Sequence, residues 1–401
     1  MPAPADQSTR IIELDALRGL AVIGIVCMNV YVFALPAQGY YNPTVWGPGL
    51  GEGSSLDRLV WVISFVFIED KFRTLFAMLF GAGCLILLER AKERPWRAHY
   101  ARMAVLFIIG LAHSVLFASN DVLRSYALAG CALPLLSALS ARALIAVCVG
   151  LVALHVGGGM VTLGSGVLDF YSDRTASDAS LFANRNFGTD PAAVQYMLAQ
   201  GKEEWGERIA RRVDGFPSQM VAVGSGIPLN LAAMALGMGL WKNRMLAGEW
   251  RLFVLQRIAA ICAIAAIPAL FGLAWWVSNN GFPPSFVGAA GLILSAPFDT
   301  LLGVTYAALA MALFAKGGRI SERLAAVGRL SLTNYLMTSI ILAGIFASWG
   351  AGLFGEVSRT QALGLSFVPI AAMLVWSPIW QRMAGPGPFE RLWRAASRLL
   401  S

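Results

Sequence analysis

From Leu17 to Leu35 the chain runs through nineteen residues with one charged side chain, Arg18. About 20 helical residues at 1.5 Å each cross the ~30 Å hydrocarbon layer of a bilayer. The longer stretch Arg10–Pro36, RIIELDALRGLAVIGIVCMNVYVFALP, therefore reads as a charged entry that becomes a membrane-spanning helix without a break. Asp15 and Arg18, three apart, share one face of its first turns. Ten residues separate Arg18 from Asn29, which places the two roughly three turns apart along one helix. An amide deep in a span has to face protein or water. The charges at the helix entry are equally at home as interfacial anchors, since arginine snorkels readily.

Apolar runs of this kind recur along the chain. Hydrophobic residues make up 57% and charged residues 13%, against about 25% charged in a soluble domain. The fold class is all-α, a polytopic membrane bundle of about ten transmembrane helices, treated as one domain over residues 1–401. The net charge of +8 comes from Lys and Arg clustered at span ends. That pattern is the positive-inside rule rather than a nucleic-acid surface. Cys27, Cys84, Cys131, Cys148 and Cys262 all fall in apolar runs without CxxC spacing, so they read as small core residues and not as a metal or disulfide framework. The first apolar run is long and ends at Pro36, which argues for a retained span over a cleaved signal peptide.

Spans are predicted at 16–36, 71–89, 101–119, 125–140, 143–165, 217–241, 252–277, 287–315, 324–348 and 361–382. The segment Leu56–Glu89 is too long for one simple crossing. The basic cluster ERAKERPWRAHYAR after it should be cytoplasmic, so residues 57–69 are expected as an interfacial or re-entrant helix. Residues 166–215 form the one large polar segment, with six Lys/Arg against eight Asp/Glu. An acidic loop between basic inner loops belongs outside, and 191–213 has helical spacing of Val194, Met197 and Leu198. The tail 384–401 reads as a cytoplasmic amphipathic helix. Both termini are then cytoplasmic.

Three histidines are present. His99 falls in the basic loop and reads as a surface residue. His155 lies beside three glycines in the fifth span and carries little weight. His113 lies deep in the third span, two turns before Asn120–Asp121. A ring in hydrocarbon needs a partner, and near neutral pH it can give or take a proton. It is either a buried hydrogen-bonding histidine or a general base. Asp299, inside the eighth span, is an ion-pair partner or a functional carboxylate. Lys71 and Arg73 hold an anionic substrate or anchor a helix. Tyr126 joins the candidate binding set. Arg329, Asn334 and Tyr335 line a polar vestibule at the inner mouth or only pack helices. No HExxH, P-loop or GxSxG pattern occurs.

LDALRGLAVIGIVCMN, DKFRTLFAMLFGAG, GLAHSVLFASNDVLRSYALAG, AMALGMGLWKNRML, VGRLSLTNYLMTS and GPGPFERLWR, in that order, resemble the YeiB-like family of bacterial inner-membrane proteins of unknown function. The family's usual Gly-Asp-Ile-Leu after span three stands here as Asn120-Asp121-Val122-Leu123. More distantly the chain resembles transmembrane acyltransferases, including the lysosomal heparan glucosaminide N-acetyltransferase and bacterial sugar O-acetylases. That resemblance implies acyl transfer from cytoplasmic acyl-CoA to an acceptor across the membrane; the sequence itself shows no metal-ligand constellation, so no metal is expected. The O-acetylases carry an Arg, ten residues and a catalytic His on the first span. Arg18 matches the Arg and Asn29 stands where the His would be. An amide cannot act as a base.

The leading expectation is thus an acyltransferase of the inner membrane. Arg18, with Asp15 and Arg329, would stand near the acyl-CoA phosphates, His113 would act as base oriented by Asp121, and Asn29 as oxyanion donor. The partners expected are the bilayer, a glycan, lipid or small-molecule acceptor, and a second copy of the chain; nucleic acid is not. A transporter or flippase with a buried His/Asp proton relay is the alternative.

Overall fold

The computed structural model describes residues 12–45, 54–90, 95–172 and 176–400. Part of the first outer loop (46–53), part of the basic cluster (91–94), and Asp173 and Arg174 lie outside the described residues. Among the described residues the chain is helical throughout, with no strand. The bundle opens with α1 (Ile12–Ala34), the short α2 (Ala37–Tyr41), α3 (Ser55–Phe67) and α4 (Lys71–Arg90). α3 and α4 together make one apolar stretch of 36 residues. At 1.5 Å per residue this is longer than ~30 Å of hydrocarbon, so part of it protrudes. α3 is the helix expected at 57–69, and residues 68–70 break the pair.

α5 (Pro95–Leu116) is followed by α6 (Val122–Gly130) and α7 (Leu133–Leu136). The stretch expected as one spanning helix over 125–140 folds instead as these two short pieces, neither of them long enough to cross a bilayer by itself. Asp121 starts α6 by accepting from the Arg124 amide, and Gly130 and Pro134 flank the interruption, where Cys131 is exposed in the turn. α8 (Ala141–Phe170) is largely unburied along its length. The polar segment after it is itself folded, as α9 (Asp178–Phe187), α10 (Pro191–Gly201) and α11 (Trp205–Asp214). The helix expected over 191–213 is present, split at 202–204.

α12 (Phe216–Ser225) and α13 (Ile227–Lys242) form a span bent by 43°. α14 (Leu252–Asn279), α15 (Pro284–Ala289), a π-helical turn (Ala290–Leu294) and α16 (Ala296–Phe314) come next. The stretch expected as the ninth span, 324–348, is α17 (Arg319–Arg329) and α18 (Ser331–Phe346), bent by 81°. α19 (Arg359–Leu365), α20 (Phe367–Ala384) and α21 (Pro388–Leu400) complete the chain. Seven helices are long and apolar enough to cross a bilayer, or nine when each bent pair counts as one.

Two glycine contacts set the core. α1 crosses α17 where a Cβ added at Gly19 would strike the Leu324 carbonyl and one at Gly328 the Asp15 carbonyl. α4 crosses α13 where Gly81 meets the Met234 carbonyl and Gly237 that of Met78. Small residues let backbones approach where lipid gives no hydrophobic drive for helix association. The α17–α18 bend is held from the tail. Glu390 of α21 accepts from the Leu332 and Thr333 amides, at 2.8 and 3.1 Å, and from the Thr333 hydroxyl. It thereby satisfies donors left free at the start of a helix. Trp393 donates to the Arg102 carbonyl at 2.9 Å. The tail is amphipathic as expected, and it is also packed on α5 and α18.

Candidate functional site

A cavity of about 1310 Å³ lies in the half of the bundle away from Arg18. Ile25, Met28, Asn29 and Val32 supply one face of α1 to it, at helical spacing, and Leu35 just beyond the helix continues that wall. Arg18 does not line it; Ala21 and Val22, both buried, lie between. Asn29 lines the cavity.

The α3–α4 break supplies the charged wall. Asp70 has φ 59°, a left-handed conformation that costs a non-glycine residue about 1–3 kcal/mol and gathers at functional sites. Arg73, one turn into α4, donates from Nε to Asp70 at 2.7 Å and from Nη1 to Asn230 at 2.6 Å. Asn230 in turn donates to Ser125 at 2.7 Å. Tyr126 holds the same turn by donating to the Arg73 carbonyl at 2.9 Å. Its own side chain is buried and positions Arg73; it does not face the cavity.

Lys71 points the other way. Its ammonium is buried, 2.7 Å from Asp299 and donating to the Phe65 carbonyl. For Asp299 the ion-pair reading is what forms; its partner is Lys71, expected instead to hold an anionic substrate or anchor a helix, and neither residue lines the cavity.

His113 and Asp121 also meet, with Nδ1 2.8 Å from Oδ1. A carboxylate accepts, so Nδ1 carries the proton. Asp121 accepts in addition from Tyr335 at 3.2 Å and from the Arg124 amide at 3.1 Å. His113 is 3% exposed, its Nε2 buried without a partner, and it stands behind Tyr335, which does line the cavity. Tyr335 therefore belongs to this wall and not to a vestibule with Arg329.

The histidine on the cavity wall is His155 of α8. Its Nε2 lies 2.8 Å from the Leu292 carbonyl. A carbonyl only accepts, so Nε2 carries the hydrogen and the neutral ring keeps its lone pair on Nδ1. Asp70 lines the same cavity. His99, expected at the surface, is buried, and its Nε2 donates to the Gly130 carbonyl at 2.8 Å. Asn334 is fully occupied: it donates to Val327 O and Ser377, each at 3.0 Å, and accepts from Trp376 at 2.8 Å. At the far end Arg18 pairs with Asp15 at 3.2 Å and is 26% exposed, and Arg329 closes α17, part-buried. Among the described residues no group of three His, Cys, Asp or Glu could hold a metal ion.

Sequence reasoning passed over His155, Asp70 and three arginines of α11, Arg208, Arg211 and Arg212, that line the cavity. The one available signal was the charged quartet at 69–73 inside an apolar stretch.

Fold and site define a polytopic helical membrane protein with one large, mainly apolar cavity that a few polar and charged side chains line. The chain is 31% identical to the uncharacterized protein YeiB of Escherichia coli over 96% of its own length and 95% of that protein's, and it belongs to that family. It is 26% identical to the uncharacterized protein YxaH of Bacillus subtilis, over 99% of this chain and 96% of the other. Residues 240–399 match the family described as protein of unknown function, DUF418. No solved structure matches the chain.

Proposed function

We propose that the protein is an integral-membrane acyltransferase whose reaction centre is the cavity of Asn29, Asp70, Arg73 and His155. The observation that carries this reading is the convergence of a base and hydrogen-bond donors on one cavity. His155 offers Nδ1, and Asn29 and Arg73 offer N–H groups, in a space larger than the ~300–1,000 Å³ of a typical small-ligand site. In the reaction His155 Nδ1 takes the proton of an acceptor hydroxyl or amine. The acceptor oxygen or nitrogen bonds to the thioester carbon, and the oxyanion is met by Asn29 and Arg73. The C–S bond then breaks, and the proton on His155 passes to the departing CoA thiolate. The Leu292 carbonyl fixes the ring tautomer throughout.

Arg18 remains the proposed contact for the acyl-CoA phosphates at the opposite end of α1, on a cytoplasmic face that also carries both termini. Six residues, about 10 Å of helix, separate it from Ile25 at the cavity floor. The thioester crosses this barrier only when the packing at Ala21 and Val22 opens. Cavity and α9–α11 would then face outward from a bacterial inner membrane.

One observation favours a second reading, transport. The cavity is open in one half only, and a buried Lys71–Asp299 pair lies beside it, as in proteins that relay protons during alternating access. Binding of an acyl-CoA by purified protein separates the two. Saturable binding that weakens in Arg18→Lys, which keeps the charge but loses the fork, supports the transferase. No binding of any common acyl-CoA by folded protein rejects it.

A further inference from the structure

Arg208, Arg211 and Arg212 stand at i, i+3 and i+4 on α11 and all three line the cavity. Like charges at this spacing repel. Arg212 is spent on the end of α5, donating to the Val115 and Phe117 carbonyls at 3.1 and 2.8 Å. Arg211 meets Glu203 at 2.8 Å. Arg208 donates to the Gly201 carbonyl at 2.8 Å, and its Nε is buried without a partner. Burial first, then the neighbouring Arg208 and Arg211, push the Arg212 guanidinium down to about 10. Of the carboxylates on the cavity wall among the described residues, Asp70 is taken by Arg73, which leaves Asp178. The cluster is electropositive and would be relieved by an anion.

The flank of the same cavity is apolar and open. Leu154, Gly158 and Thr162 of α8 and Ala222 of α12 line it and are nonetheless exposed. A Cβ at Gly158 would meet nothing within 4 Å. Elsewhere α8 exposes Val149, Val161 and Leu168 at 63%, 84% and 68%, the surface of a helix that faces lipid. The opening between α8 and α12 therefore lies in the bilayer.

We propose that the cavity takes an anionic lipid, its phosphate at Arg208 and Arg211 and its chains leaving between α8 and α12. That this lipid is the acyl acceptor rests on the reading above; its binding does not. A phosphate on a water-soluble ester would share the headgroup chemistry but would have no use for the open flank.

The test uses the full chain in phosphatidylcholine nanodiscs, with labelled dioleoyl phosphatidate and, separately, glycerol 1-phosphate as probes. Phosphatidate should be retained and glycerol phosphate should not displace it. Arg208→Gln, Arg211→Gln and Gly158→Trp should each weaken retention about tenfold or more. Gly150→Trp is the control: Gly150 lies on the same helix, open to solvent or lipid and away from the cavity. Its retention should match the native protein. If Arg208→Gln does not fold, judged by its melting midpoint, Arg211→Gln and Gly158→Trp decide. Equal retention in those two and in the native protein overturns the site. Glycerol phosphate binding as tightly as phosphatidate overturns the lipid. No acyl donor is present, so the retention assay tests the lipid site alone, and the acyl-CoA assay tests the reaction separately.

Discussion

Arg73 and Asp70 form a 2.7 Å ion pair at the point where α3 gives way to α4, with Asp70 in a left-handed backbone conformation. The guanidinium reaches Asn230 of α13 with its other arm at 2.6 Å. One planar group thus ties a strained break to a neighbouring helix. Lysine has the charge but not the fork. Arg73→Lys should leave the protein folded and reduce turnover on the order of a hundredfold, the loss seen when an oxyanion donor is removed. Native turnover in Arg73→Lys would remove Arg73 from the reaction.

The two membrane-embedded histidines should separate cleanly. His155→Gln keeps a donor for the Leu292 carbonyl but has no titrating nitrogen. Turnover should drop by about 10²–10⁴ with the melting midpoint nearly unchanged. His113→Gln should act on stability, because His113 is buried against Asp121. A lower midpoint with modest loss of turnover is expected. The reverse pattern would return the base to His113.

Lys71 and Asp299 make a buried pair. Breaking one side strands a charge, so Asp299→Ala should destabilise by about 3–5 kcal/mol. Lys71→Met with Asp299→Leu should recover most of that loss, and acyl transfer should persist in the double variant. If the pair instead relays protons for transport, the double variant would fold and lose all function. Thermal midpoints in detergent and a transfer assay on the same preparations decide.

Glu390 holds the start of α18 from the far end of the chain. Glu390→Ala should cost about 2 kcal/mol or more, seen as a lower melting midpoint, and Glu390→Gln less. An unchanged midpoint in Glu390→Ala would mean that the bend at 329–331 holds without the tail.

The spans were legible because apolar runs of bilayer length need nothing but local sequence. The α17–α18 bend was not, since the residues that contact it are distant in sequence: Glu390, some sixty residues further on, bonds the start of α18, and Gly328 meets α1. The break in the stretch expected as the fourth span had a local sign in Gly130 and Pro134, which the apolar run concealed. At the site, Asn29 was found by its depth in the first span. His113 and Asp121 were rightly placed together, but depth alone does not reveal whether a side chain faces a cavity or the packing behind it. His155 was passed over for that reason: its neighbours on the wall come from α1, α4 and the π-helical turn, which no spacing within α8 discloses.

The most direct measurement is transfer itself. Membrane vesicles containing the protein are given acyl-CoA labelled in the acyl group, and label in extracted lipid, glycan and water is followed alongside release of CoA thiol. The native protein should move label to an acceptor with thiol released in equal amount, and His155→Gln, folded and present at the same level, should do so about 10²–10⁴-fold more slowly. Native protein that releases no thiol and labels no acceptor from any acyl-CoA tried, or His155→Gln that transfers at the native rate, would contradict acyl transfer in this cavity.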